Sequence, residues 1–477
     1  MELKNILLVK LEDSSQVYPP FGLMYLAAAL RSEDYKFEIF HETVSSKNLD
    51  KLYEKAKNAD IVAFSVMTSP VLIKNLQVSK KIKEMGKPIV WGGMHPTMIP
   101  ETTLKDDCVD YIILGDGEET FIKLLECLKE NKEPEGIKGI GYKKGKELIV
   151  NGISDPIKDL DKYHLDWDDV EVERYIQPRF GKFKRVLPII TSRGCPHGCT
   201  FCYNHVVNKR RWRAHSSDYV IKELKKLKEK YRLDAVFFGD DNFFTRKDRA
   251  FEIVKELDLP WMADVRVDYI NEEFVKKAKE LKSEGFYVGV ESGSDRILKD
   301  VINKGINVKQ IDTAIGLCEK YGIKVESSLI VAFPSETKTE IRRTMSFMYY
   351  LYKKYDNVFF WAPKIYTPYP GTPLYFTSLD YGLQAPKSSR EWATNLKIYE
   401  CNLPWISKKV QKKIGLLYLM VGLAQMKKNL ITLPFKKLEE WRWRNLNLFF
   451  PIELEFAALV SRSKKMTQLF FKYFRKH

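Results

Sequence analysis

Apolar runs and helical periods alternate along the first part of the chain. Ile6-Leu7-Leu8-Val9, Phe37 to Phe40, Ile61 to Val66, Pro88 to Trp91 and Tyr111 to Leu114 are short and largely apolar, as buried parallel strands are. Between them Phe21 to Leu30, Leu52 to Asn58, Val71 to Glu84 and the stretch from Glu118 onward read as helices. Strands with interleaved helices predict a doubly wound α/β domain over residues 1–132. Residues 133–184 read as a connector, with a hairpin near Gly139 to Val150 turning at Gly145.

A second series begins near Val186. Val186 to Thr191, Ala235 to Gly239, Trp261 to Val265, Phe286 to Glu291, Val325 to Ala332 and Val358 to Lys364 read as strands. Ser216 caps a helix whose apolar positions are Val220, Leu224, Leu227 and Tyr231, and further helices fall near 246–257, 271–282, 307–321 and 336–353. This pattern predicts a partial (β/α)6 barrel of the TIM type over residues 185–385, with its active site at the carboxyl ends of the strands. Residues 386–477 are helical and carry no βα period.

Ligands bind at the carboxyl ends of strands in a doubly wound sheet as well. The loops there run Ser65 to Ser69, Gly92 to Thr97 and Gly115 to Thr120. Their small residues let backbone approach a ligand, and their hydroxyls supply hydrogen bonds. Ser65, Thr68, Gly92, Gly93, His95, Gly115, Gly117 and Glu118 are therefore the binding candidates of this domain. The competing reading of such loops is that they are simply turns.

Composition narrows the class. Of 477 residues, 44% are hydrophobic and 30% charged, which suits globular domains and excludes large-scale disorder. The net charge of +16 favours polyanionic partners, unless it reflects only a Lys-rich solvated surface. The seven cysteines form no secreted framework, and three of them crowd into residues 195–202, which suits a reducing cytoplasm and metal binding. The N-terminus lacks the pattern of a signal peptide. Ile414 to Met426 is too short to span a bilayer, and Leu446 to Val460 is broken by Pro451, Glu453 and Glu455.

The tail interleaves rings and cations: Trp441-Arg442-Trp443-Arg444, Phe449-Phe450, Lys464-Lys465 and Phe470 to Lys476. The favoured expectation is a substrate cap on the barrel. Peripheral contact with a membrane surface is the alternative, and stacking on nucleic-acid bases a less favoured third.

The densest chemistry is Thr191-Ser192-Arg193-Gly194-Cys195-Pro196-His197-Gly198-Cys199-Thr200-Phe201-Cys202-Tyr203. It follows the first barrel strand. Gly194, Pro196 and Gly198 force an irregular loop that brings thiolates to one metal centre. Thiolates select zinc or iron–sulfur centres. Structural zinc needs a fourth ligand, for which only His197 or His205 is near, whereas three thiolates alone suit a cluster with one open iron.

C-x3-C-x2-C followed by an aromatic resembles the radical S-adenosylmethionine (SAM) superfamily. That resemblance implies a [4Fe–4S] cluster on Cys195, Cys199 and Cys202, SAM chelated by the fourth iron, and reductive cleavage to a 5′-deoxyadenosyl radical. Further segments carry it: Gly239-Asp240-Asp241-Asn242, Arg266, Gly289-Val290-Glu291-Ser292-Gly293, Phe333-Pro334-Ser335-Glu336-Thr337 and Tyr369 to Tyr375. By resemblance Tyr203, Gly239, Asp240, Asp241, Arg266, Glu291 and Ser292 are the SAM-side residues. Ala332 and Ser335 stand where glycines are common in that family.

Pro19-Pro20-Phe21-Gly22-Leu23 and the loops Gly92–Thr97 and Gly115–Thr120 resemble the flavodoxin/Rossmann-like cobalamin-binding domain found ahead of radical SAM barrels. The D-x-H-x-x-G motif that supplies a histidine to cobalt is absent, so the resemblance implies cobalamin without a histidine ligand. The leading expectation is cobalamin-dependent methylation of an unactivated carbon on an apolar or lipid-like substrate, with electrons from ferredoxin or flavodoxin. A radical SAM cyclase is the runner-up. A tRNA methylthiotransferase is disfavoured because only Cys108 and Cys127 precede the barrel, and a non-catalytic carrier because the barrel-end segments are all present.

Overall fold

The computed structural model describes residues 3–13, 18–179, 182–395, 403–425 and 432–446. In the first domain the expected strands form as β1 (Asn5–Glu12), β2 (Lys36–Thr43), β3 (Ile61–Ser65), β4 (Ile89–Gly92) and β5 (Tyr111–Ile113). They run parallel in the order β2-β1-β3-β4-β5. The crossovers are α1 (Phe21–Ser32), α2 (Ser46–Asn58), α3 (Leu72–Glu84), the short α4 (Met94–Met98) and α5 (Pro100–Leu104), and α6 (Glu118–Lys129) follows β5. This is the doubly wound layout, with the topological switch beside β1.

The hairpin near Gly145 forms β6 (Ile140–Lys144) and β7 (Glu147–Val150). It lies in the segment read as a connector, yet it pairs antiparallel with β5 and extends the first sheet. Pairing covers the otherwise open edge of Tyr111–Ile113.

The second domain starts with β8 (Gln177–Arg179), antiparallel to β9 (Phe183–Ile189). A two-residue ribbon, β10 (Ser192–Arg193) with β11 (Arg213–Ala214), brackets the cysteine loop. Then come α7 (Ser217–Tyr231), β12 (Ala235–Phe238), α8 (Lys247–Leu257), β13 (Trp261–Val265), α9 (Glu272–Glu280) and β14 (Ser283–Glu291). They are followed by α10 (Val308–Lys320), β15 (Lys324–Val331), α11 (Lys338–Lys354), β16 (Val358–Phe360) and β17 (Lys364–Ile365). Ser216 caps α7 as expected, accepting from the Tyr219 N–H at 3.1 Å, and Val220, Leu224 and Leu227 are buried.

The strands β9-β12-β13-β14-β15-β16 are neighbours in chain order and parallel, and the sheet stays open. It is the partial barrel that the sequence predicts. The last expected strand is split, because Pro363 has no N–H to donate: β16 pairs with Val325–Ser327 and β17 with Ile330–Val331. Burial alternates along β15. Val325, Ser327, Leu329 and Val331 are buried, while Lys324, Glu326, Ser328 and Ile330 face a half-open lumen.

The chain continues through α12 (Pro373–Asp380), α13 (Ser389–Asn395), α14 (Lys408–Ala424) and α15 (Thr432–Asn445). Helix α13 packs on α3 of the first domain. Gln425 brackets the backbone of Phe360 on the edge strand β16, accepting from its N–H and donating to its carbonyl, both at 2.8 Å. Trp443 is buried, its indole N–H donating to the Met345 carbonyl at 3.0 Å. The described part of the tail therefore closes the β16 edge beside α11. Phe435, Leu438 and Trp441 line an exposed side of α15, while Phe449-Phe450, Lys464-Lys465 and Phe470 to Lys476 lie outside the described residues. Among the described residues no helix is long and apolar enough to cross a membrane.

Candidate active site

The cysteine loop leaves β10 and returns through β11. Gly194 has a φ of 84°, and a Cβ there would run into the Arg211 carbonyl, so this entry to the loop is reserved for glycine. Each of the three thiols meets a side-chain nitrogen donor. Asn242 Nδ2 lies 3.7 Å from Cys195 Sγ, Arg266 Nη1 lies 3.6 Å from Cys199 Sγ, and Asn204 Nδ2 lies 3.7 Å from Cys202 Sγ. Burial pushes the Cys195 thiol up and the Cys202 thiol up to about 12. In the chain alone these are neutral thiols, and iron would displace their protons. Among the described residues no three His, Cys, Asp or Glu side chains converge where one bare ion could sit. Three thiols serving three separate irons require no such point.

The segment after β12 ties the loop to the barrel. Asp241 accepts from the Gly194 N–H at 3.0 Å and from the Tyr203 hydroxyl. Asp240 is fully buried, with Oδ1 taking hydrogen bonds from the Thr191 N–H and hydroxyl, both at 3.0 Å, and from Ser192. Burial pushes its carboxyl up to about 6. His197 Nε2 takes the Tyr269 hydroxyl at 2.8 Å, and that oxygen accepts from Asn242 at 3.2 Å.

After β13, Arg266 also binds Asp268 at 2.9 Å and the Lys304 carbonyl at 2.7 Å. Lys304 Nζ in turn pairs with Glu291 at 2.5 Å, and both groups are buried. Glu291 sits at a register shift between β14 and β15, with a φ of 62°. Ser292 turns toward α11, its hydroxyl 3.1 Å from that of Thr344. Ala332 and Ser335 have φ of 68° and 65°, the left-handed region that glycine adopts freely.

Three acceptors in this region are buried without a partner among the described residues: Asp240 Oδ2, Asn242 Oδ1 and Glu336 Oε1. Burial pushes Glu336 up to about 8. Orphaned acceptors cost about 1–3 kcal/mol each, and a ligand bearing amino and hydroxyl donors removes that cost. SAM is such a ligand, so the residues fit it.

The first-domain candidates fall into two groups. Ser65 ends β3 and Thr68 follows it, Gly92 ends β4 and Gly93 follows it, and Gly117 caps α6, all at the carboxyl edge of the sheet. Gly93 is exposed there, and Ser65, Gly92 and Gly117 are half-buried. Others face the protein itself. A Cβ on Gly115 would meet Ser154 Oγ at 2.7 Å. His95 is buried between the Thr68 hydroxyl at 3.0 Å from Nδ1 and the Ser389 hydroxyl at 3.1 Å from Nε2. Desolvation lowers it to about 3, and neither nitrogen is left for cobalt.

Glu118 is buried and accepts from Arg193 at 2.5 Å, and Arg193 also reaches Asp116 at 3.0 Å. Arg213 pairs with Asp116 as well and donates to the Ile157 carbonyl at 3.0 Å. Burial alone would raise Asp116, but Arg193 and Arg213 hold its carboxyl below the usual range. The ribbon beneath the cluster loop is thus clamped to the β5–α6 loop of the first domain. Arg193, Arg213, Asp116, Lys304, Asn204 and Asn242 were not singled out by sequence reasoning, although Arg193, Asp116 and Asn242 stand inside motifs it quoted.

The sequence profile of the radical SAM superfamily matches residues 189–348, and that of the B12 binding domain matches residues 9–125. An uncharacterized methyltransferase of Pyrococcus horikoshii is 33% identical over 389 residues, covering 79% of this chain and 82% of that protein. The chain belongs to the family of cobalamin-dependent radical SAM methyltransferases. The cofactors of this radical SAM enzyme are a [4Fe–4S] cluster, SAM and cobalamin. The anaerobic magnesium-protoporphyrin IX monomethyl ester cyclase of Cereibacter sphaeroides is 26% identical to the enzyme, over 75% of this chain and 60% of the cyclase. The structure of TsrM, a radical S-adenosylmethionine methyltransferase from Kitasatospora setae with cobalamin and a [4Fe–4S] cluster bound, superposes with a TM-score of 0.67. It is 14% identical and covers 93% of this chain and 100% of TsrM, a likeness of fold.

Proposed function

We propose that the enzyme methylates an unactivated carbon of a small molecule held in the barrel lumen. The observation that carries this reading is the Arg193 clamp. It sets the cysteine loop directly against the cobalamin-side loop Gly115 to Thr120, so that the two cofactor regions serve one space. When bound, the cluster and SAM supply a hydrogen-abstracting 5′-deoxyadenosyl radical, and cobalamin supplies a methyl group.

The chain's own residues have narrower tasks. Cys195, Cys199 and Cys202 hold the iron, and Asn242, Arg266 and Asn204 direct N–H groups at their sulfurs. Asp240, Asn242 and Glu336 offer acceptors to SAM, and the Glu291–Lys304 pair fixes the strand end beside Arg266. A ferredoxin or flavodoxin would deliver the electron.

The expected apolar or lipid-like substrate drew on the tail. In the described residues the lumen itself is lined by Asp264, Tyr287, Glu326 and Ser328, which supports a polar acceptor molecule instead. Oxidative cyclisation would use the same cofactor residues, and the relationship to the cyclase keeps it as the second reading.

The test is anaerobic reconstitution with iron, sulfide and cobalamin, followed by SAM and a strong reductant. Formation of both 5′-deoxyadenosine and S-adenosylhomocysteine, the latter dependent on cobalamin and absent in Cys199→Ala, supports methylation. 5′-Deoxyadenosine alone supports the cyclase reading.

A further inference from the structure

The lumen carries a polar row that lies outside the segments resembling cofactor motifs. Asp264 on β13 is in register with Tyr287 on β14, and Tyr287 is in register with Glu326 on β15. Register partners on adjacent parallel strands point to the same side, so the three groups form a line about 10 Å long. That side is the half-open one on every strand concerned, since Asp264, Tyr287 and Glu326 are partly exposed between buried neighbours. Glu326 is anchored, accepting from the Trp361 indole N–H at 2.9 Å.

Asp264 is not anchored. Among the described residues it has neither a hydrogen bond nor an ion pair. It faces the half-open lumen, and partial desolvation together with Asp240, Asp241 and Glu326 pushes its carboxyl up to about 8. The cation acting on it is Arg179, which is already engaged with the Tyr18 hydroxyl at 2.9 Å and lies over the Phe237 ring at 4.2 Å. A substrate filling the lumen would exclude water from this carboxyl, and a carboxyl desolvated without a partner is destabilising unless the ligand itself completes it.

The missing partner is a cation with N–H donors. A hydroxyl would supply a hydrogen bond but no charge, and a carboxylate would add repulsion. The walls suit a cation too, because Tyr287 and the edge-on pair Phe359 and Trp361, with ring centroids 5.5 Å apart, present aromatic faces along the row. We infer that the row Asp264–Tyr287–Glu326 receives a substrate bearing a protonated amine, with Asp264 as its counter-ion. The inference rests on the barrel being the substrate site of a radical SAM enzyme.

The test uses full-length holoenzyme with cluster, cobalamin and SAM, left unreduced. Benzylamine, benzyl alcohol and benzoate are titrated separately, and binding is read from ligand NMR. Benzylamine is expected to bind about tenfold more tightly than benzyl alcohol, with benzoate weakest. Asp264→Asn should cut the preference below about threefold, whereas Glu326→Gln keeps most of it because Trp361 still anchors that position. Equal binding of amine and alcohol to the wild type overturns the inference, whatever the variants do, and so does a preference that survives Asp264→Asn. 5′-Deoxyadenosine formation is measured in parallel. An enzyme that cleaves SAM but shows no amine preference loses the inference and keeps the methyltransferase reading; one that prefers the amine but never cleaves SAM does the reverse.

Discussion

Tyr25 on α1 and His215 at the end of β11 meet across the domain boundary, with the hydroxyl oxygen 2.6 Å from Nε2. Asp161 lies 2.8 Å from Nδ1, so Nδ1 donates to the carboxylate and Nε2 accepts from Tyr25. Desolvation holds this imidazole down at about 4, against an ordinary value of 6.5. The folded protein therefore binds fewer protons than the unfolded chain between those limits. Stability falls as pH drops from 6.5 toward 4, by about 3 kcal/mol from this group. Thermal melts across that range should show a steep acid limb in the wild type and a shallower one in His215→Gln.

Removal of Arg193 leaves Asp116 and Glu118 with buried charge and only Arg213 to answer it. Arg193→Ala is expected to cost about 3–5 kcal/mol. A urea titration should place its midpoint well below that of Arg174→Ala, whose ion pair with Glu42 is partly exposed.

The N–H groups aimed at the cysteine sulfurs favour the more negative, reduced cluster. Asn242→Leu should lower its reduction potential, on the order of tens of millivolts, with iron content unchanged. An EPR-monitored redox titration reads the shift directly.

His95→Ala should leave the visible spectrum of bound cobalamin unaltered, because neither ring nitrogen is available to the metal. A changed spectrum would mean that His95 leaves Thr68 and Ser389 to bind cobalt.

Ala332 and Ser335 hold left-handed backbone without being glycine. Ala332→Gly and Ser335→Gly are expected to be neutral or to stabilise by up to about 1 kcal/mol, as relief of strain outweighs the added chain entropy. Ala332→Val should lower the melting temperature, since a β-branched residue tolerates that φ far less.

The parallel strands of both sheets were legible because their burial writes itself into largely apolar runs, as at Ile61–Ser65 and Ala235–Phe238, whereas the antiparallel β8 (Gln177–Arg179), with its polar sequence, was not. The cysteine loop was legible from spacing alone. The clamp was not, since Arg193 finds Asp116 and Glu118 at separations of 77 and 75 residues and Arg213 finds Asp116 at 97. Such pairs leave no periodic trace. The same limit explains Glu118, whose place in a Gly-rich loop suggested a ligand contact while its carboxylate is occupied by Arg193. Asp264 was hidden in the run Trp261–Val265, where only register with Tyr287 and Glu326 gives it meaning.

The clamp also bears on how such enzymes can be recombined. Its two guanidiniums come from one domain and its two carboxylates from the other. A chimera that grafts this N-terminal unit onto a foreign barrel inherits half of a neutral cluster. Viable crossovers must carry Arg193 and Arg213 together with Asp116 and Glu118, which makes the four positions a single unit of inheritance.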